Sequence, residues 1–343
     1  MRERERERES SEKTGAGPSP ALVRAGGCHD FQEKVLRCNI NVTDFCNQNC
    51  SYCINADTHN RNRRVLDPDL LEQFIEDVAE RVTDRSYFTV AGGEPFMYPH
   101  LHFLVKKLAA TIPGSYTQLR FLTNGSMLPR AALPLYDIKG KLDLQYVVSV
   151  HMEFMDVEKF LSNIRDFPYK DDILCKILMA PGQLEAAQRH LAILEDAGLQ
   201  TYVNAVTGVP TPYTAEEKDF LHRHPNTFQP IDITYVYEDG STCSKSDPYM
   251  VFRKEYFDFS GMWCAAGITS LRLGPDGKVL PCFGVHAIPK DKRPVYDITK
   301  TRLRDIPELN KAWKCPSKYC FCSPFLSAPK WRPGSPQPQW LEE

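Results

Sequence analysis

Eight of the twelve cysteines stand in two groups. Closely spaced thiolates are soft ligands that select zinc, copper(I) or iron–sulfur clusters. The tighter group is FCNQNCSYC, residues 45–53, in which Cys46, Cys50 and Cys53 follow the spacing C-x3-C-x2-C. A closed structural zinc site takes four ligands, and a cubane iron–sulfur cluster has four irons to fill. Three thiols on one short loop therefore hold three irons and leave the fourth open to a substrate or cofactor. A zinc site completed from elsewhere, for example by His59, is the competing arrangement. The second group is Cys264, Cys282, Cys315, Cys320 and Cys322. Residues 264–282 read as a hairpin turning at Asp276-Gly277, which returns Cys264 and Cys282 to one place. Five cysteines there can supply four ligands to a second centre, an iron–sulfur cluster or a zinc ribbon.

The elements around these residues alternate. KVLRCNINV (34–42) puts Leu36, Cys38, Ile40 and Val42 on one strand face and Arg37, Asn39 and Asn41 on the other. The next segment predicts a helix with Asp67 as N-cap, Pro68 in the first turn and an apolar stripe of Leu71, Phe74, Ile75, Val78 and Val82. The cycle repeats. Strands are expected at 87–91, 118–124, 144–151, 173–180 and 200–206. Helices are expected at 100–112, near 129–138, and at 156–167, 183–198 and from 214, the last opened by a capping box of Thr214 and Glu217. Six β-α units imply a parallel sheet with helices outside, either an open doubly wound sheet or an incomplete barrel. In a barrel the functional loops follow the strands. FCNQNCSYC, AGGEP, TNG and SVHMEF all do, which places four candidate loops on one rim.

At this point the sequence resembles the radical S-adenosylmethionine (SAM) enzymes. Their hallmark C-x3-C-x-aromatic-C loop is matched by Cys46, Cys50, Tyr52 and Cys53. The resemblance covers about 34–225 and implies a partial (β/α)6 barrel. It also implies a [4Fe-4S] cluster at Cys46, Cys50 and Cys53, whose open iron chelates SAM. The backbone at Tyr52 would lie near the adenine. Gly92, Gly93, Glu94 and Pro95 match the family's Gly-Gly-Glu-Pro, whose glycines let backbone approach the SAM amino group. Asn124 and Ser149 resemble positions lining the ribose and carboxylate pocket, and His151 can reach the same rim. The family's chemistry is reductive cleavage of SAM to a 5'-deoxyadenosyl radical that abstracts hydrogen from a substrate. The spacing C-x12-G-x4-C from Cys264 to Cys282 resembles the SPASM/Twitch extensions of these enzymes. The five cysteines fit the Twitch type, with one auxiliary [4Fe-4S] cluster. Cys264 and Cys282 are the safest ligands, and the choice among Cys315, Cys320 and Cys322 stays open.

Four regions are expected. Residues 1–33 form a disordered tail, 34–227 the barrel core, 228–325 a small cysteine-rich β-containing domain, and 326–343 a Pro-rich mobile tail. Cys38 and Cys175 read as core residues. The chain has 343 residues, is 42% hydrophobic and carries a net charge of -2. That balance disfavours a generic nucleic-acid binder, and no apolar run is long enough to span a membrane. The absence of an export signal and the clusters' need for a reducing compartment point to the cytoplasm. The expected partners are a peptide or small-molecule substrate and a reductant such as flavodoxin or ferredoxin. The region before residue 34 is too short and polar for a leader-peptide-binding domain. A non-catalytic iron–sulfur or zinc carrier, and a nucleic-acid-modifying enzyme on the same fold, are the rival readings.

Overall fold

A computed structural model describes residues 21–27, 29–53, 63–206, 211–226, 233–245, 258–282, 288, 292–318, 320 and 327–341. After β1 (Leu22–Gly27) come β2 (Leu36–Thr43), β3 (Arg85–Gly92), β4 (Tyr116–Thr123), β5 (Leu142–Val150), β6 (Ile173–Met179) and β7 (Gln200–Ala205). From β2 to β7 the strands lie side by side in chain order, and every neighbouring pair is parallel. The helices are α1 (Pro68–Ala79), α2 (Leu101–Thr111), α3 (Leu133–Tyr136), α4 (Val157–Ile164), α5 (Leu184–Asp196) and α6 (Ala215–Arg223). The sheet stays open, with β7 at one edge, so the architecture is the partial (β/α)6 barrel the sequence implied.

Local chemistry explains the helices. Asp67 caps α1 by accepting from the amides of Asp69 and Leu70, and Pro68 occupies the first turn. Leu71, Phe74, Ile75 and Val78 then face the core. Thr214 and Glu217 form the expected capping box of α6. The expected helix near 129–138 shrinks to the four residues of α3, because Pro134 sits in it and cannot donate to a preceding turn. Leu36, Cys38, Ile40 and Val42 join the main hydrophobic core between sheet and helices, as does Cys175.

The C-terminal part divides between two sheets. The hairpin of β11 (Ser270–Leu273) and β12 (Lys278–Leu280) turns at Asp276-Gly277 and extends the barrel sheet, with β11 parallel to β2. There β13 (Tyr296–Asp297) adds to β12. The second sheet is antiparallel, in the order β14 (Trp313–Lys314), β10 (Trp263–Cys264), β15 (Lys330–Trp331), β1, β8 (Ile233–Tyr237) and β9 (Thr242–Lys245).

Two expectations need correcting. Within the expected tail 1–33, residues 22–27 form β1, held between β8 and β15. Within the expected tail 326–343, Lys330–Trp331 form β15 in the same sheet, and the Trp340 indole donates to Asp30 O at 3.0 Å. Neither strand carries a readable period. Their hydrogen bonds come from chain segments far away in sequence, and those partners, rather than local propensity, hold them. Residues 1–20 lie outside the described residues.

Candidate active site

The rim loops meet as the alternation predicted. At the end of β3, Gly92 has a φ of +139°, and a Cβ there would stand 2.3 Å from Thr43 O. At Gly93 a Cβ would stand 1.9 Å from Phe45 O. Real Cβ atoms do not come this close, so both positions require glycine. These glycines thus serve first to seat the start of the cysteine loop against β3. Gly93 N donates to Thr43 O at 2.7 Å and Glu94 N to Phe45 O at 2.6 Å.

Glu94 is fully buried. Its carboxylate accepts from Thr123 Oγ1 and Asn124 N at 2.8 Å each, and from Phe96 N at 3.1 Å. Burial pushes its pKa up, and the three hydrogen bonds oppose that shift. Glu94 therefore ties the loop after β3 to the loop after β4. Pro95 opens the short helical turn Pro95–Met97 that follows.

Asn124 reaches the cysteine loop directly. Its Nδ2 donates to Asn47 Oδ1 at 2.8 Å and lies 3.7 Å from Cys46 Sγ. Asn47 in turn donates to Ser126 Oγ at 2.8 Å. From the loop after β5, Glu153 accepts from Ser51 N at 2.9 Å and from the Ser51 hydroxyl. The Tyr52 ring stacks on His151 with centroids 5.8 Å apart, and Tyr52 OH lies 3.3 Å from His151 Nδ1. Burial and the nearby Lys176 charge hold His151 down at about 4, so it is neutral near pH 7. Ser149, on β5, is buried and pairs in register with Lys176 of β6. Asn47, Ser51, Ser126 and Glu153 were not singled out from the sequence. Nothing in their local pattern marks them, because their partners come from other loops.

Cys46 and Cys53 are half-buried and Cys50 is buried. Burial, then the neighbouring Cys53 and Cys46, push the Cys50 thiol up to about 12. Three neighbouring thiols are a soft donor set of the kind that binds a thiophilic metal centre. Among the described residues no group of three or more His, Cys, Asp or Glu side chains is arranged to hold a single metal ion. The chemistry of the donors still fits a cluster, and His59 lies outside the described residues.

The sheet face turned away from the helices mixes polar side chains with a small apolar cluster of Val147, Leu174 and Tyr202, against which Leu122 packs. Asn39 and Asn41 alternate with core residues of β2 and lie on this face, both buried, and Asn39 Oδ1 has no hydrogen-bond partner. On β4, Arg120 donates to Gln145 Oε1 at 3.1 Å and Gln118 Oε1 at 2.9 Å, neutral acceptors both. Lys176, half-buried on β6, has no hydrogen-bond or ion-pair partner among the described residues. Burial and then Arg120 depress its pKa to about 8.

The profile of the radical SAM superfamily matches residues 40–222, more than half of the chain. The chain belongs to that superfamily. Radical SAM proteins are enzymes that act with SAM and a [4Fe-4S] cluster and need a source of electrons. The GTP 3',8-cyclase of Rhizobium etli is 28% identical over 131 residues, which is 38% of this chain and 36% of that protein. The match thus spans about a third of the relative's length. Among solved structures, anSMEcpe with bound AdoMet superposes with a TM-score of 0.52 at 13% identity, covering 81% of this chain and 80% of that one. Streptococcus suis SuiB bound to its precursor peptide SuiA gives 0.51 at 14% identity, covering 81% and 65%. Both likenesses concern the fold.

The second cysteine group converges too. Cys264, Cys282, Cys315 and Cys320 pack into one apolar cluster with Tyr235, Phe259, Met262 and Leu280. The first three thiols are buried. Burial, with Cys264 next, pushes Cys315 up to about 11. Cys322 lies outside the described residues. No helix among the described residues is long and apolar enough to cross a membrane.

Proposed function

We propose that this chain holds a [4Fe-4S] cluster on Cys46, Cys50 and Cys53 and uses it to cleave SAM. The observation that carries this is the convergence of the loops after β3, β4 and β5 on the cysteine loop, with Asn124 Nδ2 3.7 Å from Cys46 Sγ. When bound, the cluster and SAM supply a 5'-deoxyadenosyl radical that abstracts hydrogen from a substrate. The protein's own residues do the placing. Glu94 and the two glycines fix the loop. Asn124 and Ser149 would line the SAM pocket, and the backbone at Tyr52, whose ring is stacked on His151, would lie near the adenine. The four thiols of Cys264, Cys282, Cys315 and Cys320 support one auxiliary [4Fe-4S] cluster, with Cys322 as the remaining candidate.

The substrate lies on the sheet face turned away from the helices. Arg120, hydrogen-bonded to two amide oxygens with the Asp143 carboxylate acting on it from beyond them, and Lys176, with no described partner, favour a small anionic metabolite over a neutral peptide segment. The nucleotide in the name of the Rhizobium etli relative is such an anion. A reducing partner such as flavodoxin or ferredoxin would deliver the electron, and a cytoplasmic setting suits both clusters.

The test is anaerobic. Reconstituted protein should carry about eight irons per chain and form 5'-deoxyadenosine with dithionite and SAM. Both the activity and about half the iron should vanish in a Cys46/Cys50/Cys53→Ala variant. Intact iron with no SAM binding would identify an electron carrier or scaffold instead. RNA capture that survives moderate salt would identify a nucleic-acid-modifying enzyme.

A further inference from the structure

Lys330 is 1% exposed, which is rare for a lysine and costs several kcal/mol unless the ammonium is compensated. Its place is set by the backbone. It stands on β15 directly across from Cys264 on β10, and β10 pairs on its other side with β14, which leads into Cys315. Ala265 N donates to Pro329 O at 2.9 Å, and Cys315 N to Met262 O at 2.8 Å, which locks these strands together. The ammonium donates to Ala328 O at 2.9 Å and lies 5.4 Å from the centre of the Phe259 ring. Cys264, Cys282, Cys315 and Cys320 pack together in the same apolar cluster as Phe259, the ring this ammonium approaches.

We propose that Lys330 is the built-in counter-charge of the auxiliary centre and raises that centre's reduction potential. The inference rests on the auxiliary-cluster reading above. Four thiolates around a [4Fe-4S] core leave a net charge of about minus two when oxidised and about minus three when reduced by one electron. A fixed ammonium beside the cluster in a low-dielectric pocket favours the more negative state. Lys330 thus makes the auxiliary cluster a readier electron acceptor than the same four thiolates alone. It acts through the cluster and needs no contact with substrate.

The experiment uses the full chain with Cys46, Cys50 and Cys53 all changed to Ala, so that only the auxiliary centre titrates. Iron is counted first, and the midpoint potential is then followed by electron paramagnetic resonance during dithionite titration. Lys330→Met and Lys330→Gln both remove the charge, and Gln keeps a donor for Ala328 O. Either neutral variant that retains about four irons should show a reduced-to-oxidised ratio about tenfold lower at the parent's midpoint, a downward shift of about 59 mV. Lys330→Arg should restore the parent value. Four retained irons with an unchanged midpoint in a neutral variant would overturn the role of Lys330 and leave the auxiliary cluster standing. Zinc or no metal in the parent triple variant would overturn the auxiliary-cluster reading, and the role of Lys330 with it.

Discussion

The two cysteine groups solve opposite problems. The rim group places three thiols on one loop, Cys46 to Cys53, and leaves two of them half-exposed toward the barrel mouth. Its geometry is imposed from outside, by Gly92, Gly93, Glu94, Asn124 and Glu153 on three other loops. The second group draws four thiols from separate stretches of chain, buries three of them, and adds a buried ammonium. The first group is the more accessible and the second the more enclosed, which is the contrast the proposed roles of the two sites require. The same residue type therefore stands in two different settings, and on the proposed reading the surroundings fit one to SAM chemistry and the other to holding an electron.

The comparison breaks most sharply on the cysteines themselves. Cys46→Ala should abolish 5'-deoxyadenosine formation while leaving the auxiliary iron. Cys264→Ala should do the reverse, losing about four irons and keeping SAM cleavage in the absence of substrate. It should also lower the melting temperature more than Cys46→Ala does, because a metal that joins distant segments stabilises the fold. Iron analysis, product assay and thermal melts on the two variants read this directly. Equal losses in both would mean that the two sites are not separate.

Gly93→Ala comes next. The added methyl would meet Phe45 O at 1.9 Å, backbone that can give way only by shifting the cysteine loop. The expected result is a fold destabilised by about 1–3 kcal/mol, with rim iron lost and auxiliary iron retained. Glu94→Gln is milder. It keeps the shape but turns one acceptor into a donor facing Thr123, Asn124 or Phe96, at about 1–3 kcal/mol. SAM cleavage should fall through looser positioning, and a denaturant midpoint measured beside the product assay checks both.

Much of this was legible in the sequence. The barrel strands and helices declared themselves through period and caps, as at Asp67 and Thr214, since each is stabilised by neighbours close along the chain. The cysteine loop and AGGEP were legible because their chemistry resides in contiguous residues. What stayed hidden depends on distant pairing. β1 and β15 are six and two residues long, and each is held by partners distant in sequence, β1 by β8 and β15, and β15 by β1 and β10. Lys330 sits in a stretch that reads as tail, so its burial beside the thiols had no local sign. Glu94 was readable as a rim residue. Its two hydrogen bonds to the next loop were not, because their partners lie about thirty residues away.

The smallest expected effect concerns the sheet face turned away from the helices and sharpens the contrast with Lys330. Both lysines are drawn into the protein, but Lys330 stands across from Cys264 in the cysteine cluster, whereas Lys176 stands beside Arg120. Lys176 has a pKa lowered to about 8 by burial and by Arg120. A base whose pKa is depressed on folding adds stability only above its unfolded value, and that stability is lost as pH falls through the folded value. At pH 7 the charged Lys176 is therefore a cost, on the order of 1 kcal/mol for a half-buried group. Lys176→Met should raise the melting temperature at pH 7. The gain should fade as the pH rises through about 8 and disappear above the unfolded lysine range, near 10.5. If the substrate is an anion, the same variant should weaken its binding and leave SAM affinity unchanged. A stabilisation that does not depend on pH would show that Lys176 is no strained charge, and the argument for an anionic substrate would then rest on Arg120 alone.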